Sequence, residues 1–269
     1  MRQKVVKVIF ILLGGAFLFL MLVLPLATVL VYALRQGVET FSKAVTDVYA
    51  IKALQLTLLA TGITVIVNTI FGIFAAWVIT KFHFRGKQIL TTLIDIPFSI
   101  SPVIAGLVFI LVFGRIGWAY PLLEAWNIKI VFAVPGIILA TVFVTFPFVS
   151  RELIPLMQSQ GSDEEEAAAL MGAGGFRIFF KVTLPHIKWG LLYGVILCTA
   201  RSLGEFGAVS VVSGHLRGKT NTLPLHVEIL FNEFKLTAAF AVSSILVLIA
   251  IILLILRNIV EYRVKREER

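Results

Sequence analysis

The sequence has little charge and contains long stretches that carry none. Asp, Glu, Lys and Arg make up 14% of its 269 residues, whereas 59% are hydrophobic and the mean hydropathy is +0.98. Soluble domains ordinarily have about a quarter charged residues and roughly 45–50% apolar ones. The composition therefore excludes an ordinary soluble domain and predicts an integral membrane protein. The net charge of +9 does not indicate a nucleic-acid partner, because the basic residues are scattered between apolar runs.

The sequence is also poor in the residues from which metal, disulfide and catalytic sites are built. Cys198 is the single cysteine and lies in an apolar run, and the four histidines lack metal-ligand spacing. The stretch 214–220 looks like a phosphate loop, but it has three residues between its glycines where that loop needs four. No nucleophile elbow or zinc-binding helix is present. We therefore predict that the chain is not an enzyme and holds no metal or cofactor.

Six apolar runs are long enough to cross a membrane as helices. A crossing helix needs about 20 predominantly apolar residues. The first run is longer than the core of a signal peptide and has no small-residue cleavage site, so we interpret it as a spanning anchor. The predicted helices cover residues 8–34, 53–80, 89–113, 130–149, 189–212 and 236–256.

The distribution of basic residues orients these six helices. Six crossings put both termini on one side of the membrane. Segments on that side hold fifteen Lys and Arg residues and those on the other side hold eight, with Arg201 inside a run. Because Lys and Arg accumulate in cytoplasmic loops, both termini and the long polar loop 151–188 are predicted to be cytoplasmic.

The polar loop 151–188 carries the pattern of a helical hairpin. Ser162 followed by Glu165 fits a capping box and predicts a helix from residue 163 onwards. Glycines at 172, 174 and 175 predict its end and a turn, and phenylalanines then recur at helical spacing until Leu184-Pro185 closes the second arm. Apolar residues in a water-facing loop leave two interpretations: the loop folds back on its own helices, or it docks on a partner.

The spacing Glu-Ala-Ala-x3-Gly-x9-Val-x-Leu-Pro in this loop resembles the signature of ATP-binding-cassette importer permeases, with Val where Ile is commoner. The resemblance implies a type I permease fold in which the loop is a coupling helix seated in a groove of a separate ATPase subunit. That ATPase, and not this chain, would bind ATP and Mg. The implied ATPase-coupling residues are Glu166, Ala167, Ala168, Gly172, Val182, Leu184 and Pro185.

The predicted third helix is interrupted by two prolines. Pro97 and Pro102 each remove a backbone hydrogen bond, and Ser101-Pro102 fits the N-cap and first residue of a new half-helix. The positive end of that half-helix would face the middle of the membrane beside Ser99 and Ser101. Broken helices of this kind can hold anionic groups. A simple proline kink is the alternative.

Two charged residues fall within the predicted fifth helix. A charge at that depth costs at least ~2.5–3.5 kcal/mol and normally faces a partner or a water path. Arg201 and Glu205 are one turn apart and can neutralise each other. Alternatively, Arg201 faces an anion pathway, with Asp95 as another candidate partner.

Small residues surround this charged pair. Gly204 and Gly207 flank Glu205 and Phe206, which favours close helix packing or, alternatively, a flexible apolar gate. The predicted anion pathway and gate comprise Ser99, Ser101, Arg201, Glu205 and Phe206.

Three stretches indicate which permeases of this family the sequence resembles most. Residues 95–106 and 201–208 resemble permeases for sulfate, thiosulfate, molybdate and tungstate, and 214–234 is most similar to the second, W-type permease subunit of the sulfate/thiosulfate importer. The resemblance implies a heterodimer with a paralogous permease, two ATPase subunits and an extracytoplasmic binding protein, in the lipid of a bacterial inner membrane. The alternatives are a homodimeric molybdate or tungstate permease and, from another class, a secondary anion transporter.

We therefore predict an all-α integral membrane protein with six transmembrane helices and a cytoplasmic coupling helix. Residues 1–50 would form the first helix and an outer loop, 51–260 the permease core including the loop 151–188, and 261–269 a charged cytoplasmic tail. The predicted function is to couple ATP hydrolysis by a separate subunit to the inward passage of sulfate or thiosulfate.

Overall fold

The computed structural model describes residues 2–267, and every regular element within that range is a helix. Met1, Glu268 and Arg269 lie outside the described residues, so Arg269 and the end of the predicted tail are not placed. The helices are α1 (Arg2–Leu18), α2 (Leu24–Leu34), α3 (Val38–Val45), α4 (Val48–Lys81), α5 (Lys87–Ser99), α6 (Pro102–Phe113), α7 (Tyr120–Ala125), α8 (Val134–Thr145), α9 (Pro147–Gln160), α10 (Asp163–Leu170), α11 (Gly175–Ile178), α12 (Leu184–Leu203), α13 (Gly207–Val212), α14 (Leu223–Asn232) and α15 (Leu236–Glu267).

Within the described residues, five stretches of helix are long and apolar enough to cross a membrane. They are Val6–Leu34, Val48–Lys81, Val134–Gln160, Gly175–Leu203 and Leu236–Arg263. The predicted third crossing is the pair α5 and α6, which meet at an angle of 107°. Helices dominate because lipid offers no hydrogen-bond partners, so a spanning backbone must satisfy its own polar groups. The prediction of an all-α membrane protein is confirmed, with five continuous spans and one broken pair.

The bundle packs around α4, α9 and α12. Ala76, Val149 and Ile187 from these three helices are fully buried together. A Cβ on Gly72 would lie 2.7 Å from the Cβ of Val149, so α4 and α9 approach almost backbone to backbone. This interface fixes the relative positions of the helices that carry the functional segments.

A buried polar contact joins α4 to α8. The side-chain amide of Asn68 donates to the hydroxyl of Thr145 at 2.8 Å and to the carbonyl of Val142 at 3.2 Å. Cys198 is fully buried beside them, which agrees with a packing role for the single cysteine. Polar side chains buried in a membrane bundle fix the register of neighbouring helices when they are paired in this way.

The fifth predicted helix has different ends from those expected. It begins at Gly175, passes through a π-helical turn at Phe179–Thr183, and ends at Leu203 instead of residue 212. Leu184-Pro185 therefore does not close the preceding segment. Pro185 is accommodated because it lies in the first turn of α12, just after the π-helical turn, where the regular hydrogen-bond ladder is already interrupted.

Candidate functional site

The polar loop forms the predicted helical hairpin, here named the hairpin and comprising residues 163–183. Its first arm, α10, begins at Asp163 as expected, and Gly172 turns the chain with φ +82°. Only glycine adopts such a backbone conformation without strain. The second arm, α11 and the π-helical turn, runs without a break into α12. The second arm of the hairpin is thus the N-terminal end of the helix 175–203.

The predicted capping box is not formed. The hydroxyl of Ser162 donates to the carboxylate of Glu166 and not to the backbone of α10. Glu165 points away from Ser162 and contacts Lys81 and Thr183. The expectation failed because local spacing does not distinguish the three successive glutamates as partners of Ser162. The contact with the distant lysine determines which glutamate points towards the bundle.

The contacts of Glu165 hold the base of the hairpin against the bundle. Its Oε2 lies 2.8 Å from Nζ of Lys81, at the end of α4, and its Oε1 accepts a hydrogen bond from the hydroxyl of Thr183 at 2.6 Å. The Lys81 ammonium also donates to the carbonyl of Gly161. Sequence reasoning counted Lys81 only as a basic loop residue and did not identify this contact.

The tip of the hairpin presents apolar side chains to the outside. Leu170, Met171 and Phe176, named here the apolar tip, are 91%, 83% and 86% exposed. An exposed apolar patch on an otherwise polar segment marks an interaction surface. The predicted coupling residues differ in exposure: Glu166, Ala167, Gly172 and Pro185 are exposed, Val182 and Leu184 are half-buried, and Ala168 is buried.

The break between α5 and α6 lies where the sequence predicted it. Helix α6 begins at Pro102 with Ser101 as its N-cap residue, whose backbone is extended. Within the described chain, the Ser101 side chain makes no capping hydrogen bond. Ser99, the last residue of α5, and Ser101 are both exposed on this subunit.

Arg201 and Glu205 form an ion pair at the end of the helix 175–203. Nη1 of Arg201 lies 2.6 Å from Oε2 of Glu205, and the two side chains are 32% and 2% exposed. The other carboxylate oxygen accepts the backbone N–H of Ala208 at 2.8 Å and so caps α13. The helix ends at Leu203 with Gly204 as its C-cap residue, directly before the residue whose side chain bonds the start of α13. Phe206 is partly exposed beside the pair.

Asp95 does not serve as the predicted partner of Arg201. Its carboxylate lies 2.9 Å from Nε of Arg151 on α9, and the Arg151 guanidinium lies over the ring of Phe98 at 4.7 Å. The contact ties α5 to α9, because the two residues face each other across those helices. Sequence spacing could not distinguish Arg151 from Arg201 as the partner.

The structure brings the half-helix and the ion pair together. Pro102, at the start of α6, packs against Gly207, two residues after Glu205. Gly106, one turn further along α6, lies against the backbone of Ala208. Gly204 has no comparable neighbour, because a Cβ there would lie 3.8 Å from the Ala200 carbonyl. The prediction of close packing is therefore confirmed for Gly207 and not for Gly204.

The remaining motif is tied to the C-terminal end of α14 by an ion pair. In the stretch 214–220, the Arg217 guanidinium pairs with Glu233. Among the residues that the structure describes, no three His, Cys, Asp or Glu side chains are grouped as a metal site requires.

Comparison with known proteins places the chain in a family. Residues 68–266 match the binding-protein-dependent transport system inner membrane component. The chain is 47% identical over 258 residues to the sulfate transport system permease protein CysW of Synechocystis sp., covering 96% of this chain and 94% of that protein. It is 34% identical over 256 residues to the sulfate transport system permease protein CysT of Salmonella typhimurium, covering 94% and 92%.

A solved structure shows the same fold. A chain of a bacterial ABC transporter that imports the acidic polysaccharide alginate superposes with a TM-score of 0.80, at 16% identity, over 98% of this chain and 96% of that one. The chain is therefore a membrane-spanning transport component that belongs to the family of binding-protein-dependent transport system inner membrane components.

Proposed function

We propose that the chain is one of two membrane subunits of an ATP-driven bacterial importer of sulfate and thiosulfate. Similarity to both CysW and CysT, each a sulfate transport permease, supports this substrate class and a heterodimer of paralogous permeases. A homodimeric molybdate or tungstate permease is not favoured by these relatives. A gradient-driven carrier is not favoured by a family that depends on a binding protein.

The observation that carries the proposal is the apolar tip of the hairpin. Three large apolar side chains stay almost fully exposed on a segment whose base is pinned by Glu165. The sequence has no nucleotide-binding loop, so the energy source is a partner. We assign the tip to an ATPase subunit that binds ATP and Mg, with Glu166, Ala167, Ala168, Gly172, Val182, Leu184 and Pro185 shaping the docked surface.

The continuous helix 175–203 supplies the mechanical link. Its 29 residues span about 43 Å at 1.5 Å per residue, with the hairpin at one end and Arg201 at the other. Movement of the ATPase pair therefore displaces the end of the helix that carries the ion pair. In the proposed orientation the hairpin and both termini are cytoplasmic, and an extracytoplasmic binding protein delivers the anion to the opposite side. Transport then proceeds by alternating access.

The proposed anion pathway passes the start of α6. The side chain of Arg201 is about a third exposed, so Arg201 can contact an anion while its partner Glu205 stays buried. Ser99 and Ser101 offer hydroxyl donors at the positive end of the half-helix. Phe206 supplies an apolar surface beside them that can close the passage.

The test is purification of a tagged complex from the native membrane. We expect a paralogous permease and an ATPase to copurify, and sulfate and thiosulfate, but not molybdate, to stimulate ATP hydrolysis when the binding protein is present. A chain that purifies alone and transports sulfate, or a complex stimulated by molybdate only, contradicts the proposal.

The apolar tip can be tested in the same preparation. Replacing Leu170 and Phe176 with Ser should release the ATPase while leaving the two permeases associated. The matched control is Ile116→Ser, because Ile116 is 88% exposed but lies in the loop after α6, away from the hairpin. If the ATPase stays bound to the tip variant, docking occurs elsewhere.

A further inference from the structure

Glu165 is the point at which three elements of the chain meet. Its carboxylate receives the Lys81 ammonium from the end of α4 and the Thr183 hydroxyl from the π-helical turn, while its own backbone belongs to the first turn of α10. Each carboxylate oxygen therefore has a different partner from a different element.

The Lys81–Glu165 ion pair is more buried than the ion pairs on the surface of the chain. The side chains of Lys81 and Glu165 are 12% and 17% exposed, whereas those of the Lys43–Glu39 pair are 76% and 83% exposed. Exposed pairs contribute little, because water and salt screen them. A largely buried pair resists separation, because either partner left alone would be an uncompensated buried charge.

The hydrogen bond between Thr183 and Glu165 stabilises an irregular part of the helix 175–203. The π-helical turn Phe179–Thr183 departs from the regular ladder and lies between the hairpin and the rest of the helix 175–203. Irregular turns of this kind allow a helix to bend. With Thr183 bonded to Glu165, the two arms of the hairpin move as one body with the start of α12.

We infer that Glu165, Lys81 and Thr183 form a mechanical clamp through which displacement of the hairpin moves α4 and the helix 175–203 together. The inference rests on the proposed function, because it assigns a role within ATP-coupled transport. Glu165 precedes the Glu-Ala-Ala signature and lies beneath the docked surface. The three residues are positioning residues, since they act on the helices and contact neither the nucleotide nor the anion.

The experiment uses the complete complex in proteoliposomes with its binding protein. Sulfate uptake and ATP hydrolysis are measured together for Lys81→Met, Glu165→Gln and Thr183→Val. We expect each variant to retain its ATPase subunits and basal hydrolysis, but to import about fivefold or more less sulfate per ATP than the wild type. Exchanging the charges, in the double variant Lys81→Glu with Glu165→Lys, should restore much of the ratio.

The control is Glu164→Gln. It removes the same charge from the neighbouring position of α10, where the side chain is 69% exposed and pairs with a histidine. This variant should keep the wild-type ratio of sulfate to ATP. A loss of the ratio as large as that in Glu165→Gln would show that net charge on α10 matters and would overturn the clamp.

Two further results would overturn it. One is a wild-type ratio in both Lys81→Met and Glu165→Gln. The other is loss of assembly in all single variants without rescue by the exchanged pair, which is the outcome for a purely structural contact. Failure of the proposed function is distinguishable, because the wild-type complex itself would then show no ATP-dependent sulfate uptake.

Discussion

Gly207 lies directly against Pro102. A Cβ on Gly207 would be 2.9 Å from the Cβ of Pro102, and one on Gly106 would be 2.7 Å from the carbonyl oxygen of Ala208. Real Cβ atoms do not tolerate such distances. Helices α6 and α13 can therefore approach this closely because each has a glycine at the contact. The start of the half-helix and the turn that carries Glu205 consequently form one packed unit.

Replacing Gly207 with Ala should destabilise this unit. The added methyl group overpacks the contact with Pro102 and should cost about 1–3 kcal/mol. The measurement is the thermal unfolding temperature of the purified complex. Gly204→Ala is the matched control, because its Cβ would meet only the Ala200 carbonyl at 3.8 Å. Equal unfolding temperatures for the two variants would contradict the packing described for α6 and α13.

Replacing Arg201 with Gln should abolish anion uptake. The change leaves the buried carboxylate of Glu205 without its cation, at a cost below the roughly 3–5 kcal/mol of a fully buried pair, because Arg201 is partly exposed. Uptake is measured in complexes that still assemble and hydrolyse ATP.

The double variant Arg201→Gln with Glu205→Gln separates two roles of Arg201. It should recover thermal stability, because no unpaired charge remains, but not uptake, because the anion has lost its cation. Restored uptake in the double variant would show that Arg201 serves only to neutralise Glu205.

Replacing Gly172 with Val should uncouple ATP hydrolysis from transport or release the ATPase. A Cβ at this position meets nothing within 4 Å, so the cost arises from the backbone, whose φ of +82° a branched residue rarely adopts. Such strain is of order 1–3 kcal/mol and distorts the turn locally. The six crossings should stay intact, as protease accessibility of the loops can verify.

Gly174→Val is the control for this turn. Gly174 has φ −72° and open space around its Cβ, so the larger residue fits there. Normal transport by the Gly172 variant would count against the hairpin as a lever.

Acidification should destabilise the fold through His226. Burial lowers the pKa of His226 below its ordinary value of 6.5; Asp47 and Glu233 partly oppose the shift, and Arg217 adds to it. The residue lies on α14, outside the candidate spans. The unfolded chain binds the proton more readily, so this contribution to stability is complete above pH 6.5 and is lost as the pH falls towards the folded pKa.

The measurement for His226 is the unfolding temperature between pH 8 and pH 5. The loss of unfolding free energy over this pH range should be smaller in His226→Gln than in the wild type. The difference should be about 1.4 kcal/mol for each unit by which folding lowers the pKa of His226. His83→Gln, at an exposed position, should retain the wild-type decrease. An unchanged pH dependence in His226→Gln would exclude this histidine as its source.

Much of the fold was predictable because it depends on local chemistry. The length of each apolar run predicted a crossing, Ser101-Pro102 predicted the start of α6, and Gly172 predicted the turn of the hairpin. The ends of the fifth crossing were predicted wrongly, because apolar character continues past Leu203 into α13 while the helix does not. In the structure Gly204 is the C-cap residue of this helix, and the Glu205 carboxylate accepts the Ala208 N–H at the start of α13.

The sequence predicted which residues belong to the candidate sites, but not which residues each of them contacts. The sequence placed Arg201 and Glu205 one turn apart, and the structure confirms the pair. It offered Arg201 as the candidate partner for Asp95, whereas helix packing selects Arg151.

The sequence by itself determined that this protein is a helical membrane protein with an apolar-tipped hairpin, since lipid and backbone chemistry act on each run independently of the others. The tertiary structure alone decided that Glu165, among three adjacent glutamates, meets Lys81 and Thr183. It also decided that the hairpin continues into the helix that ends beside Arg201. Such contacts depend on which distant helix a side chain faces. Local sequence preferences do not distinguish one possible partner from another.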